Sequence, residues 1–208
     1  MHADAPEEEV ANTNTTATEN TNTSSTTNTT PEQVNTVPKV EEESKNTIIE
    51  PIAEFKARIT KKPFGIHITP ATSPVQPEKF SGYHTAVDVE YTDVAGDVVV
   101  SAFADGIVVR ATTVSGYGGV LVLQHTVDGE DLLSLYGHMD VKSLPAVGTA
   151  VKTGDQVGIL GEGNTEETDG ERKHLHFGII KGTTVNYRGY VSTEAALAAW
   201  HNPLTFFP

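Results

Sequence analysis

The 208-residue chain contains no cysteine, so it has no disulfide framework, no thiolate metal site and no thiol nucleophile. Long hydrophobic runs are also lacking, and no stretch approaches the roughly 18 apolar residues of a membrane-spanning helix. Basic residues are few: 14 lysines and arginines stand against 28 acidic residues and leave a net charge of −14. Such a chain cannot neutralise phosphates, which argues against a nucleic-acid partner and against electrostatic binding to an anionic membrane.

The first 50 residues lack aromatic side chains and contain ten acidic residues against two lysines. From Ala11 to Thr30 the sequence is almost entirely Asn and Thr, which offer no apolar face to offset the entropy of ordering. We therefore predict a disordered linker over residues 1–50 and a folded domain over residues 51–208. An export signal is not visible after Met1, so the sequence is expected to begin at a mature or an engineered N-terminus.

Beyond residue 51, short β-branched segments alternate with glycine-containing turns, the pattern of an all-β domain with a mostly antiparallel sheet or sandwich. Asp128-Gly129 lies between two such segments and indicates a hairpin. One short C-terminal helix is expected over Ser192–Trp200, ended by Asn202-Pro203. The predicted strands are residues 85–91, 98–102, 106–113, 119–126, 132–138, 156–161 and 174–181.

Two pairs of residues have the spacing of a metal site. His174 and His176 are two apart in a predicted strand, so their side chains share one face. His84 and Asp88 are four apart, and a fully extended strand would separate them by about 13 Å. Binding a common ion would therefore require a bend near Thr85-Ala86. Imidazole and carboxylate suit zinc, and three such ligands with one open position are typical of a catalytic site. The residues alone leave open which member of the His-x-His pair is the third ligand.

A further histidine, His138, follows Tyr136-Gly137 at the end of the predicted hairpin. In their order along the chain, His84-x-x-x-Asp88, Tyr136-Gly137-His138 and His174-Leu175-His176 resemble the M23 metallopeptidases, the lysostaphin- and LytM-like peptidoglycan endopeptidases. The resemblance covers residues 82–181 and includes the glycine loop 116–119. It implies a β-sheet groove that carries one zinc per chain.

The resemblance also implies a role for each residue. His84, Asp88 and His176 would bind zinc, while His138 and His174 would be the metal-free catalytic pair. The function implied is hydrolysis of peptide cross-links in bacterial peptidoglycan, at an extracytoplasmic location. Because the domain is acidic and the wall is anionic, a wall-targeting partner is a reasonable expectation.

Three positions depart from the family pattern. Ala86 stands where the family usually has Gly, and a positive φ there would be strained. Gly178 stands where an acidic residue is common, and residues 164–173 form a charged loop in place of a small-residue one. This loop is expected to alter which substrates fit the groove, and the Pro-rich segment 51–80 is a candidate cover for it.

Two other functions stay open. LytM-like domains that have lost a ligand act as binding partners of other wall hydrolases, but no ligand or catalytic histidine is missing here. A biotinyl- or lipoyl-like carrier would need a modifiable Lys at a hairpin tip, where residues 128–130 read Asp-Gly-Glu, and a phosphocarrier would have no use for Asp88. Among the remaining residues, Tyr117 is expected to line the groove, and His67, His125 and His201 are expected to have structural or surface positions.

Overall fold

The computed structural model describes residues 47–208, which form twelve β-strands and four short 3-10 helices. Most of the predicted linker lies outside the described residues. The 3-10 helices are Val141–Ser143, Glu166–Thr168, Glu194–Ala199 and Pro203–Phe206. The strands are β1 (His67–Ile68), β2 (Gly82–His84), β3 (Val87–Glu90), β4 (Val99–Ser101), β5 (Gly106–Val114), β6 (Gly118–Val127), β7 (Glu130–Met139), β8 (Ala150–Val151), β9 (Gln156–Ile159), β10 (His174–Lys181), β11 (Tyr190–Val191) and β12 (Trp200–His201).

The main sheet has the strand order β12-β10-β7-β6-β5-β8. Strand β10 has three partner strands. It pairs with β7 along one edge, and with β3 and then β12 along successive halves of the other edge. Two smaller sheets, β1-β2-β11 and β4-β9, complete the strand pairing of the described residues. All of these pairs are antiparallel, so the all-β, mostly antiparallel prediction is confirmed.

Apolar side chains cover both faces of the main sheet. Alternation along β7 sends Leu132 and Tyr136 into one cluster and Leu133 and Leu135 into another, as the period of two in a strand requires. The first cluster is the larger and contains a group of edge-to-face aromatic contacts around Phe177. Residues 174–180 of β10 are buried, and the strand is apolar there apart from His174 and His176, before it ends at the exposed Lys181.

The predicted C-terminal helix is present in shortened form, as a 3-10 helix over Glu194–Ala199. Thr193 occupies the N-cap position without a side-chain capping bond. Trp200 leaves the helix because it pairs with Ile180 in β12 and is buried in the second cluster. Asn202 then accepts a hydrogen bond from the Leu204 amide and begins the next 3-10 helix.

The bend expected between His84 and Asp88 is present, because Thr85 and Ala86 separate β2 from β3. The Thr85 amide donates to the Gly189 carbonyl at 3.0 Å, and its hydroxyl donates to the Arg188 carbonyl at 2.7 Å. Ala86 is fully buried and has no positive φ. The strain considered for Ala86 therefore does not arise.

Residues 47–50 extend along the domain. The Ile49 amide donates to the Phe103 carbonyl at 2.9 Å, and the Thr153 hydroxyl donates to the Thr47 carbonyl at 3.0 Å. Over the described range, 47–208, no helix is long and apolar enough to cross a membrane.

Candidate metal centre

Strand register brings the predicted ligands together. Asp88 of β3 lies directly opposite His176 of β10, so both side chains stand on the same face of the sheet. The bend after β2 then returns His84 to this face. All three side chains are buried, with relative exposures of 0%, 2% and 5% for His84, Asp88 and His176. Among the described residues they form a group whose ligand atoms converge closely enough to hold one metal ion.

The distances within this group fit zinc. His84 Nε2 lies 3.3 Å from both His176 Nδ1 and Asp88 Oδ1, and His176 Nδ1 lies 3.1 Å from Asp88 Oδ1. Tetrahedral coordination with bonds of about 2.0–2.1 Å would place ligand atoms about 3.3–3.4 Å apart. The three atoms thus have the spacing of one face of such a tetrahedron, and two imidazole nitrogens and a carboxylate oxygen are atoms that zinc accepts as ligands.

The outer nitrogens of both imidazoles have partners that favour this orientation. His84 Nδ1 donates to the Pro63 carbonyl at 3.3 Å, which leaves the Nε2 lone pair for the centre. His176 Nε2 lies 3.2 Å from the hydroxyl of Tyr117, so Nδ1 is the nitrogen that faces Asp88. Outer hydrogen bonds of this kind fix the tautomer and the ring orientation of metal-binding histidines.

Neighbouring residues stabilise the ionised form of Asp88. Burial alone would raise the pKa of its carboxyl group, but the adjacent histidines and their hydrogen bonds hold the pKa well below its usual range. Its second oxygen, Oδ2, accepts from Arg172 Nη2 at 2.8 Å. Arg172 also binds Glu90, with Nη2 2.7 Å from Oε1 and Nε 2.9 Å from Oε2. Asp88 therefore presents only Oδ1 to the two histidines.

A β-bulge directs His138 into the site. Gly137 pairs with both Val120 and His176, so regular alternation would turn the next side chain to the opposite face, where Tyr136 is buried. The register instead shifts between Gly119 and Val120, and His138 becomes the extra residue with φ 63°. A left-handed conformation is uncommon outside glycine, and bulges are a recurrent means of re-aiming a side chain beside a functional site.

His138 and His174 lie next to each other, with their ring centroids 4.2 Å apart. His138 Nδ1 donates to the Thr168 carbonyl at 3.3 Å, and His174 Nδ1 donates to the Arg172 carbonyl at 2.8 Å. Both Nε2 atoms are thus free of protons in the neutral rings, and His174 Nε2 lies 3.4 Å from Asp88 Oδ2. Burial lowers the pKa of His138 to about 3 and lowers the pKa of His174 well below its usual value. Both imidazoles are therefore neutral near pH 7, with Nε2 as the unprotonated nitrogen.

Tyr117 reaches the metal group, defined as His84, Asp88 and His176, because it packs closely against two glycines. A Cβ at Gly137 would lie 2.5 Å from its ring, and a Cβ at Gly189 would lie 2.8 Å from its hydroxyl. These close approaches let a buried tyrosine reach His176. Burial, with the charge of Asp88, raises the pKa of Tyr117, so the hydroxyl stays protonated.

A cavity of about 280 Å³ opens over Asp88, His138, His174 and His176. Segment 51–80, the candidate cover, contributes Lys62 and Phe80 to its wall. Lys62 is buried there, where its ammonium binds Glu78 at 2.6 Å and donates to the Tyr190 hydroxyl at 3.0 Å. The charged loop 164–173 forms another part of the wall through Glu171 and Arg172. The other lining residues are Ser81, Ser115, Gly116, Tyr117, Tyr187, Gly189 and Tyr190.

The other histidines within residues 47–208 lie elsewhere. His125 is buried in the sheet, His201 pairs with Glu130, and His67 is exposed beside Tyr83. Sequence reasoning missed Arg172, whose only signal was the unusual charge of the loop before His174. It also missed the wall formed by Lys62 and Tyr190, for which the sequence gives no motif.

The family model of peptidase family M23 matches residues 82–187. An uncharacterized protein of Haemophilus influenzae is 41% identical over 93 residues, which are 44% of this chain and 21% of that protein. The chain therefore spans about a fifth of the length of this curated relative.

Among solved structures, a chain of the SpoIIQ–SpoIIIAH pore-forming complex is similar with a TM-score of 0.51 and 21% identity, over 78% of this chain and 92% of that chain. The catalytic domain of lysostaphin from Staphylococcus simulans has a TM-score of 0.45 and 20% identity, over 70% and 86% of the two chains. The first of these likenesses supports the assignment of the fold.

Proposed function

The chain belongs to peptidase family M23, and we propose that it is a zinc-dependent endopeptidase that hydrolyses peptide cross-links of bacterial peptidoglycan. The observation that carries the proposal is the convergence of His84, Asp88 and His176 at mutual distances of 3.1–3.3 Å. The resemblance of the motifs to lysostaphin- and LytM-like endopeptidases supports the substrate class. A substrate in the cell wall would require an extracytoplasmic location.

The geometry supports separate roles for the three metal-binding residues and for the two other histidines. When bound, zinc lowers the pKa of a coordinated water to about 7 and polarises a carbonyl group. His84, Asp88 and His176 would hold the ion. His138 and His174 are neutral, and their Nε2 atoms are free to take up the proton of the attacking water and deliver one to the leaving amine. The chain has no Glu in a His-Glu-x-x-His helix to act as the base, so the imidazole pair is the set of groups available for proton transfer.

The cavity wall supports a peptide substrate. Both aromatic and polar side chains line the cavity, a combination typical of sites that orient a ligand by a few polar contacts. Phe80 stacks on Tyr190 with ring centroids 5.6 Å apart, and the Tyr190 ring lies 5.1 Å from that of His84. These rings would fix the substrate backbone beside the imidazole pair.

The test is the metal content of the purified protein, followed by digestion of purified peptidoglycan. The wild-type protein is expected to hold about one zinc per chain and to release new amino groups from the wall. His176→Ala is expected to lose both zinc and activity, because it removes a ligand. The control is His67→Ala, which changes an exposed histidine and should retain both.

The outcomes separate the alternatives. A wild-type protein that takes up no added zinc would contradict the enzymatic proposal and favour a binding or regulatory role, the alternative known for LytM-like domains. Zinc binding without any hydrolysis of peptidoglycan would contradict the substrate assignment while leaving the metal centre in place.

A further inference from the structure

Arg172 joins the metal group to a second carboxylate, and no motif of the family resemblance includes it. Asp88 and Glu90 are two apart in β3 and so share one face of the strand. Arg172 comes two residues before His174, which is paired with Glu90. The guanidinium lies along this face and bonds to both carboxylates, at 2.8 Å to Asp88 and at 2.7 Å to Glu90.

These ion pairs are stronger than surface pairs because all three side chains are buried. The side chains of Asp88, Glu90 and Arg172 are only 2%, 9% and 10% exposed. Two carboxylates this close to each other in a buried position repel, and a guanidinium that bonds both offsets the repulsion. Lys61 adds a longer contact to Glu90, at 3.5 Å. Arg172 is thus the principal cation that holds Asp88 in its observed orientation.

The orientation decides what Asp88 offers to a metal ion. Oδ1 faces His84 Nε2 and His176 Nδ1, whereas Oδ2 accepts from Arg172. The Arg172 carbonyl meanwhile accepts from His174 Nδ1 at 2.8 Å, so one residue touches both a ligand and a member of the imidazole pair. We propose that Arg172 is a positioning residue whose guanidinium, anchored on Glu90, keeps Asp88 a one-oxygen ligand.

This inference rests on the metal site of the proposed function but does not need the peptidase activity for its test. Arg172→Met removes every donor while keeping an unbranched side chain. We expect it to weaken zinc affinity, measured by competition with a chelating dye, about 10- to 100-fold, the usual cost of losing an outer partner of a metal ligand. Arg172→Lys keeps the charge but not the planar fork, and should give an intermediate affinity.

The absorption spectrum of the cobalt-substituted protein provides a second readout. In the wild type, a one-oxygen Asp88 should give a four-coordinate spectrum. In Arg172→Met, release of Oδ2 allows both oxygens to bind, and the visible absorption should weaken as the coordination number rises. The control is Arg110→Met, which removes an exposed guanidinium whose hydrogen bond goes to the Val109 carbonyl, and it should match the wild type.

Unchanged zinc affinity and an unchanged cobalt spectrum in both Arg172 variants would overturn the proposal, even if their melting temperatures fell, because the ion pairs would then be only structural. If Arg172→Met does not fold, the affinity and spectrum of Arg172→Lys decide between the same two results. Normal metal binding by a wild type that hydrolyses nothing would contradict the proposed function alone. A wild type that binds neither metal would contradict both.

Discussion

Two buried histidines on neighbouring strands of one hairpin, His125 and His138, show what separates a core position from a functional one. His125 Nδ1 donates to the Asp105 carbonyl at 2.8 Å, and its Nε2 accepts from the Ser134 hydroxyl at 2.7 Å. Its bonding capacity is met by the protein. His138 has one bond, from Nδ1 to Thr168, and its ring borders the cavity.

Burial alone does not distinguish them. It lowers the pKa of His125 to about 4 and that of His138 to about 3. The difference lies in the backbone: His125 sits in regular register opposite Leu132, whereas His138 is the extra residue of a bulge with φ 63°. A strained backbone and an unused ring nitrogen at a cavity, taken together, mark the functional histidine.

Replacing His138 should have the largest effect. Asn is the suitable substitution because it tolerates a left-handed backbone better than other residues but cannot transfer a proton. We expect His138→Asn to lower kcat/KM by about 10²- to 10⁴-fold while zinc content, measured by elemental analysis, stays at the wild-type level. Loss of zinc together with activity would mean that His138 supports the ligands rather than the proton transfer. Full activity would exclude it from the mechanism.

Replacing His125 should instead affect stability. His125→Gln leaves the Asp105 carbonyl and the Ser134 hydroxyl with poorer partners, which costs about 1–3 kcal/mol in the free energy of unfolding near pH 7.5. Activity per folded molecule should remain that of the wild type, because His125 touches no residue of the metal group. Chemical denaturation and activity assays on the same samples check both statements.

The pH dependence of the free energy of unfolding provides a further test of the structural role of His125. The pKa of His125 is about 4 in the folded chain against 6.5 for an unperturbed histidine, so unfolding takes up a proton in this range. The stability that neutral His125 contributes is fully present above pH 6.5 and is lost as the pH falls toward 4, by up to about 3 kcal/mol. The stability difference between wild type and His125→Gln should therefore shrink over this interval. A difference that stays constant with pH would contradict the assignment.

The hairpin also shows how far sequence reasoning reaches. Short apolar segments on either side of Asp128-Gly129 predicted both of its strands, and the distance argument predicted the bend between His84 and Asp88. Alternation could not predict the bulge at His138, since that position reads as one more step of a regular strand. It also left open which histidine of the His-x-His pair faces Asp88. That choice depends on the register of β3 against β10, a tertiary pairing that a single sequence does not encode locally.

Arg172 was beyond sequence reasoning for a similar reason. Its two carboxylates, Asp88 and Glu90, lie more than 80 positions earlier in the chain. The loop that carries it also supplies the Thr168 carbonyl to His138, and Asp169 Oδ2 accepts from the Gly116 amide at 2.7 Å. Two of the charged residues that distinguish this loop from the family pattern, Arg172 and Asp169, thus bond to residues that line the cavity.

The smallest effect is expected at Ala86, the family's usual glycine position. Because the bend is formed without a positive φ and is held by hydrogen bonds of Thr85, glycine offers no conformational advantage here. Ala86→Gly should lower the free energy of unfolding by about 0.5–1 kcal/mol, the backbone entropy cost of glycine. It also gives up the buried methyl group, which lies near Gly178. Zinc content and kcat/KM should not change. A gain in activity or stability would mean that the bend is strained after all and that the residue at position 86, rather than the hydrogen bonds of Thr85, governs how His84 meets Asp88.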